Sequence, residues 1–267
     1  MRIARPTACS LPSHLRRGLI AEWDFRASTG DKIFDSVSKQ TATLVGGGTL
    51  SRESGPRGGA ATTTGGQYLA LPQSFALDIG GNSGNTRGAS IEVWLNKKTS
   101  QAYGMPLSAY NPAPPYHGYA FTLGGAGGGD WAGYLALPSV NWANTTTTVA
   151  DGQNVISAGS SVANQQIQAW TNGANRGWVS ASSPPTPGTG KPNATYTLLS
   201  LAGSYQLNHY VSLIRLWNRP LTASEVRQLY VRGVSRASPL APVRAPAVAS
   251  SSSGAYYYAN LIRRGAR

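Results

Sequence analysis

The stretch YVSLIRLWNRPLTASEVRQLY, residues 210–230, decides the reading of the whole chain. Its first part, 210–218, reads as a strand rich in β-branched and aromatic residues. Asn218-Arg219-Pro220 then turns the chain. Thr222 stands where a helix N-cap belongs, and Glu225 follows three residues later, completing a capping box. Val226, Leu229 and Tyr230 form an i, i+3, i+4 apolar stripe. The pattern predicts a closing strand followed by one short helix over 223–231.

Working outward, the remaining sequence predicts short strands separated by breakers. They are 19–25 (LIAEWDF), 41–45 (TATLV), 67–71, 75–79, 90–96 (SIEVWLN), 103–110, 119–123, 133–137, 155–160, 167–171, 178–180 and 195–201. Asn172-Gly173 is the strongest hairpin signal, because both central positions of its turn need positive φ. In SIEVWLN, Ile91, Val93 and Leu95 share one face. Trp23, Trp94, Trp170 and Trp217 fall inside strand patterns and read as core residues. Trp131, Trp142 and Trp178 fall nearer Gly-rich or Asn-rich loops.

The order of these pieces carries a resemblance. GLIAEWDF…GDKIFDSVSKQTATLVGG resembles the opening of laminin G-like, concanavalin A-like jelly-roll domains. SIEVWLNKK resembles their central strand with its inward tryptophan, and IQAWTNG their strand ending in Asn-Gly. The segment 210–230 is similar to their final strand and capped helix. The chain departs from the pattern in two places: the usual Trp-x-His segment before the Asn-Gly strand is absent, and Val211-Ser212 replaces a common acidic residue. The resemblance implies an all-β fold, a two-sheet antiparallel jelly-roll sandwich with one short C-terminal helix and extended terminal arms. The arrangement also resembles laminin G-like proteins encoded by tailed bacteriophages, with short basic ends around one such domain.

Composition agrees with such a fold. The chain has 267 residues, of which Gly (32) and Pro (17) make up about a fifth, favouring turns over long helices. Seven Trp, thirteen Tyr and four Phe can fill a core. The single cysteine, Cys9, excludes an intrachain disulfide framework. No apolar run approaches the roughly 18 residues of a membrane span. Pro6, Pro12, His14 and Arg16 interrupt any apolar run at the start, so no signal peptide is expected.

The net charge of +13 is unevenly placed. Residues 1–17 carry Arg2, Arg5, Arg16 and Arg17 without an acid, and 232–267 carry Arg232, Arg236, Arg244, Arg263, Arg264 and Arg267 without an acid. The intervening 18–231 holds the other thirteen basic residues and all ten acids. Three parts are therefore expected: a basic N-terminal arm, 1–17; a jelly-roll domain, 18–231; and a basic Pro/Ala/Ser-rich C-terminal arm, 232–267. Basic arms on a nearly neutral body read as attachment segments, so their ten arginines are the expected partner-binding residues.

Catalytic signals are weak. Glycosidases on this sandwich use a Glu-x-Asp-x-x-Glu strand. Glu22-Trp23-Asp24 begins that spacing, but Ala27 stands at the final position, and the pair reads as solvent-facing. His14, His117 and His209 are far apart, with no nucleophile-elbow motif. GGAGGG at 124–129 lacks the Lys-Ser/Thr of a phosphate loop. No enzyme is expected. No cofactor is expected either; calcium is the one candidate, through Asp151-Gly152-Gln153-Asn154 and Gly129-Asp130, which read as turns for want of further carboxylates.

Two functional readings follow. The first, implied by the resemblance and the arms, is a non-enzymatic phage virion structural protein: a capsid decoration or cement protein, or a head or tail fibre component. Its partners would be capsid or other virion proteins and further copies of itself, and its location the virion. The second is a carbohydrate-binding, lectin-like module that recognises a host surface glycan. Tyr116, His117, Trp131 and Trp142 are the candidate contacts for a glycan or a protein, stiffened by Pro112, Pro114 and Pro115. Membrane binding is not expected. Nucleic acid is also not expected, since the body lacks a basic stripe interleaved with aromatics.

Overall fold

Which side of each strand is buried follows from alternation. The computed structural model describes residues 11–26, 30–55, 58–72, 89–96, 104–111, 117–123, 130–131, 147–148, 153–159, 166–180, 196–200, 206–207 and 209–237. In chain order the elements begin with α1 (Ser13–Arg16), β1 (Leu19–Asp24), β2 (Lys32–Phe34), β3 (Thr41–Val45), β4 (Ser51–Gly55), β5 (Gly58–Thr62) and β6 (Tyr68–Ala70). They continue with β7 (Ala89–Asn96), β8 (Gly104–Asn111), β9 (His117–Leu123), β10 (Asp130–Trp131), β11 (Thr147–Thr148) and β12 (Gln153–Gly159). The last are β13 (Gln166–Thr171), β14 (Ala174–Ser180), β15 (Tyr196–Leu198), β16 (Tyr210–Trp217) and α2 (Ala223–Ala237). The strands predicted at 75–79 and 133–137 lie outside the described residues.

The strands form two main antiparallel sheets. An eight-stranded sheet runs β14-β13-β12-β7-β16-β5-β4, with β1 also paired to β16, and a six-stranded sheet runs β2-β3-β6-β15-β8-β9. One core joins their facing sides: Ala21, Trp23, Ile91, Val93, Leu95, Val211, Ile214 and Leu216 from the larger sheet meet Ile33, Ala42, Leu44, Leu69, Leu107, Phe121 and Leu198 from the smaller. The fold is thus an all-β sandwich of the expected class. At the predicted hairpin, Thr171 pairs with Ala174 across Asn172 (φ 53°) and Gly173 (φ 75°), both left-handed as the turn demands.

A second apolar cluster lies outside the larger sheet. Leu11, Leu15, Trp170, Trp217, Leu221, Val226 and Leu229 pack together, with Leu19 at the margin. Register puts Trp94 on the face opposite Val93 and Leu95, so this tryptophan is not the inward core residue that the resemblance implies. It is buried beneath α2 instead. Its ring stacks on Tyr230, with centroids 6.1 Å apart and planes 11° from parallel.

The ends of the domain differ from expectation. The helix predicted over 223–231 continues to Ala237, because Gly233 extends the buried stripe of Val226 and Leu229 by one more turn. The first six residues of the expected C-terminal arm are therefore helical. Residues 11–17 are likewise no free arm: Leu11 and Leu15, four residues apart, bury one side of a single helical turn against α2. The chain divides into two compact units after Ala237, and 238–267 lie outside the described residues.

Gly233 is fixed by close approach. A Cβ added there would stand 2.0 Å from Trp94 Cζ2 and 2.5 Å from Cη2. Alanine gains about 1 kcal/mol of helix propensity over glycine, but overpacking of this kind costs about 1–3 kcal/mol. Gly233→Ala is therefore expected to lower the thermal midpoint, whereas an increase would mean that α2 does not sit on Trp94.

Candidate functional site

The two outer faces of the sandwich differ in what covers them. On the larger sheet, Glu22, Arg215 and Glu92 stand opposite one another on β1, β16 and β7. Arg215 Nε donates to Glu22 Oε2 at 2.6 Å and Nη1 to Glu92 Oε2 at 3.0 Å. Ser36 Oγ donates to Glu22 Oε1 at 2.8 Å, and Trp94 Nε1 to Glu92 Oε1 at 2.7 Å. All three charged residues are buried. Burial alone would lower the pKa of Arg215, but the two flanking carboxylates outweigh it and raise it above the ordinary value. Glu22 is thus not solvent-facing as its spacing suggested; the guanidinium makes its burial tolerable. Its strand neighbour Asp24 accepts from Arg26 Nε at 2.8 Å. Around this triad the outer face is buried and its charges are paired.

The outer face of the six-stranded sheet is open toward its β2–β3 end. Lys32 and Phe34 on β2, Thr41, Thr43 and Val45 on β3, and half-buried Tyr68 and Ala70 on β6 share it by register. Phe34 is 49% exposed although it is an aromatic residue in a strand. Lys39 Nζ lies 5.9 Å from its ring centroid, and Thr41 stands opposite it. One register row runs Lys32–Thr43–Ala70–Thr197–Ser108–Ala120 across the whole sheet. Toward its centre Thr197 and Ser108 are buried, and Ser108 Oγ has no hydrogen-bond partner. An exposed ring beside hydroxyls and an ammonium can stack on the apolar face of a ligand and hydrogen-bond its polar edge. Among the described residues that share this face, none is Asp, Glu or His.

The residues singled out in the sequence are only partly placed. His117 lies in β9 opposite Asn111, at the far edge of this same sheet, and Trp131 lies in β10 opposite Thr147. Their side chains, together with Tyr116 and Trp142, lie outside the described residues, as do Arg2, Arg5, Arg244, Arg263, Arg264 and Arg267. Arg16 and Arg17 are exposed at α1, Arg232 is exposed on α2, and Arg236 is in the last turn of α2. His14 is exposed and meets Gln228 at 2.9 Å, while His209 is buried. Of the calcium candidates, Gln153 and Asn154 belong to β12 and Asp130 to β10. Among the described residues no group of three His, Cys, Asp or Glu could hold a metal ion, and no helix is long and apolar enough to cross a membrane. The reading of the sequence missed Phe34 and its neighbours. The signal was present in the alternation of KIF and TATLV, which leaves Phe34, Thr41 and Thr43 outward once Ile33, Ala42 and Leu44 point in.

No protein-family model and no curated protein matches the chain. Its structure is similar to domain 4 of AbnA, a GH43 extracellular arabinanase from Geobacillus stearothermophilus, in complex with arabinotriose. The TM-score is 0.58 at 20% identity, over 79% of this chain and 98% of that one. It is also similar to the binding domain of Botulinum Neurotoxin DC in complex with SialylT (TM-score 0.56, 9% identity, 82% of this chain and 52% of that). A third similar structure is the binding domain of Paraclostridial Mosquitocidal Protein 1 (TM-score 0.53, 13% identity, 81% and 52%). The chain spans about half the length of these last two. At such identities the likeness establishes the fold.

Proposed function

We propose that the chain is a non-catalytic carbohydrate-binding module that receives a glycan on the open β2–β3 end of the six-stranded sheet. The observation that carries this reading is Phe34, an exposed ring flanked by Thr41, Thr43 and Lys39 on a rigid sheet. A pyranose or furanose ring would stack on it while its hydroxyls meet the threonines. Preorganised on strands, these groups need little ordering on binding. The complexes of two similar domains with arabinotriose and SialylT support the same class of ligand. The non-catalytic part of the reading draws on five of the chain's ten carboxylates. Glu22 and Glu92 are held by Arg215, Asp24 by Arg26, and Glu225 by Arg219. Asp35 is tied up as an acceptor from the backbone of Glu22 and Val37. The virion reading draws on the charge of the flanking segments, and the similar structures favour the glycan reading over it.

A glycan array probed with the full chain is expected to show specific binding to at least one oligosaccharide. Phe34→Ala should weaken it about tenfold, equivalent to about 1.4 kcal/mol. Silence across the array overturns the function. Binding kept by Phe34→Ala but lost by Trp131→Ala moves the site to the loops around 116–142.

A further inference from the structure

We infer that the ligand of the Phe34 site is an anionic glycan, a sugar whose carboxylate or sulfate group pairs with the ammonium groups of Lys32 and Lys39. The inference rests on the glycan reading above and names the charge of the sugar that this face selects. Its origin is the placement of the lysines. Lys32 and Lys39 are the two lysines among the described residues, and both are exposed beside Phe34. Lys32 stands two positions before Phe34 on β2, on the same side of the strand and about 7 Å away along it. Lys39 approaches from the β2–β3 turn, with Nζ 5.9 Å from the ring centroid. A sugar stacked on the ring presents its substituents edgewise. An acidic group on its rim would meet these ammonium groups while hydroxyls meet Thr41 and Thr43. Lysine acts as a point charge and needs no fork geometry, so carboxylate and sulfate both suit it.

The described carboxylates leave both lysines uncommitted. Among the described residues that share this face, none is acidic, and neither lysine forms an ion pair. Asp31 lies before β2, outside the alternation that turns Lys32 and Phe34 outward. Asp35 follows Phe34 but is fully buried, accepting from Glu22 N at 2.9 Å, from Val37 N at 2.8 Å and from the Ser38 hydroxyl. Lys39 Nζ donates to the neutral Ser36 carbonyl at 2.5 Å. An ammonium group has three donors, so this bond does not exhaust it.

The backbone of Lys39 points the same way. Its φ is 64°, in the left-handed region that suits glycine and asparagine and strains other residues. The turn imposes this conformation: Lys39 N donates to the Asp35 carbonyl at 3.1 Å, and Asp35 N to the Gln40 carbonyl at 2.8 Å. Glycine would serve the turn with less strain but would bring no charge. A strained position filled by a side chain that the turn does not need argues for a use of that side chain.

A glycan array probed with the full chain tests this, provided it carries sialylated, glucuronate-terminated and sulfated oligosaccharides, each beside its uncharged parent. In at least one pair the charged member should bind about tenfold more tightly than its parent, as two exposed ion pairs allow. Which pair responds tells carboxylate from sulfate. Raising the salt from about 0.05 M to about 0.5 M should remove most of that preference. Lys32→Gln and Lys39→Gly should each reduce it about threefold, with the thermal midpoint unchanged. Phe34→Ala should weaken both members of the pair and keep their ratio. Binding in which no charged member exceeds its parent overturns the inference and leaves the glycan reading standing. A preference that survives both lysine substitutions does the same. Silence across the array overturns both.

Discussion

Arg215→Met should destabilise the protein by about 3–5 kcal/mol, the range for removing one partner of a buried ion pair. The cause is the charge left behind. Glu22 and Glu92 face each other across β16 with only the Arg215 guanidinium between them. Methionine fills a similar volume, so little of the loss comes from a cavity. Desolvation of two unpaired carboxylates then opposes folding. The test of that cause is a second substitution set. Glu22→Gln and Glu92→Gln in the Arg215→Met background remove the stranded charges, yet keep carbonyl acceptors for Ser36 Oγ and Trp94 Nε1. Urea denaturation should show most of the lost stability restored. If the triple variant is no more stable than Arg215→Met, the loss came from packing and the electrostatic account fails.

The same triad shows where the sequence was legible. Alternation in SIEVWLN places Ile91, Val93 and Leu95 on one face, and the core contains all three. It equally places Glu92 and Trp94 together on the other face, but period alone does not say whether that face meets water. What covers it is α2, brought back by β16, together with a turn at 13–16 too short to show a helical period. Burial of the outer face is thus a tertiary fact. Strands β4 and β5 escaped for another reason: SRESG and GGAAT contain no large apolar residue, and it is pairing of β4 with β5 and of β5 with β16, not propensity, that makes them strands. The outward residues of β2 and β3 could have been named from pattern. That Phe34 remains uncovered could not, since exposure depends on the absence of a neighbour.

Trp217→Ala is expected to cost about 3–5 kcal/mol, as for emptying a large aromatic site in a core. Trp217 is fully buried although it lies outside the space between the sheets. It contacts the second cluster, where Leu11 and Leu15 come from one end of the domain and Leu221, Val226 and Leu229 from the other. Its indole also holds the Leu15 carbonyl, one of the groups that a four-residue helix cannot satisfy internally. Two losses therefore coincide, and Trp217→Phe separates them. Phenylalanine keeps most of the apolar contact but cannot donate, so it should cost only about 1 kcal/mol. Both variants should loosen α1 before they unfold the sandwich, because the inter-sheet core does not include Trp217. Limited trypsin digestion reads this directly at the Arg16 and Arg17 peptide bonds. Cleavage there should be fastest in Trp217→Ala, intermediate in Trp217→Phe and slowest in the unaltered chain. Equal rates in all three would mean that α1 is held by Arg219 alone, and that the second cluster contributes packing without anchoring the N-terminal segment.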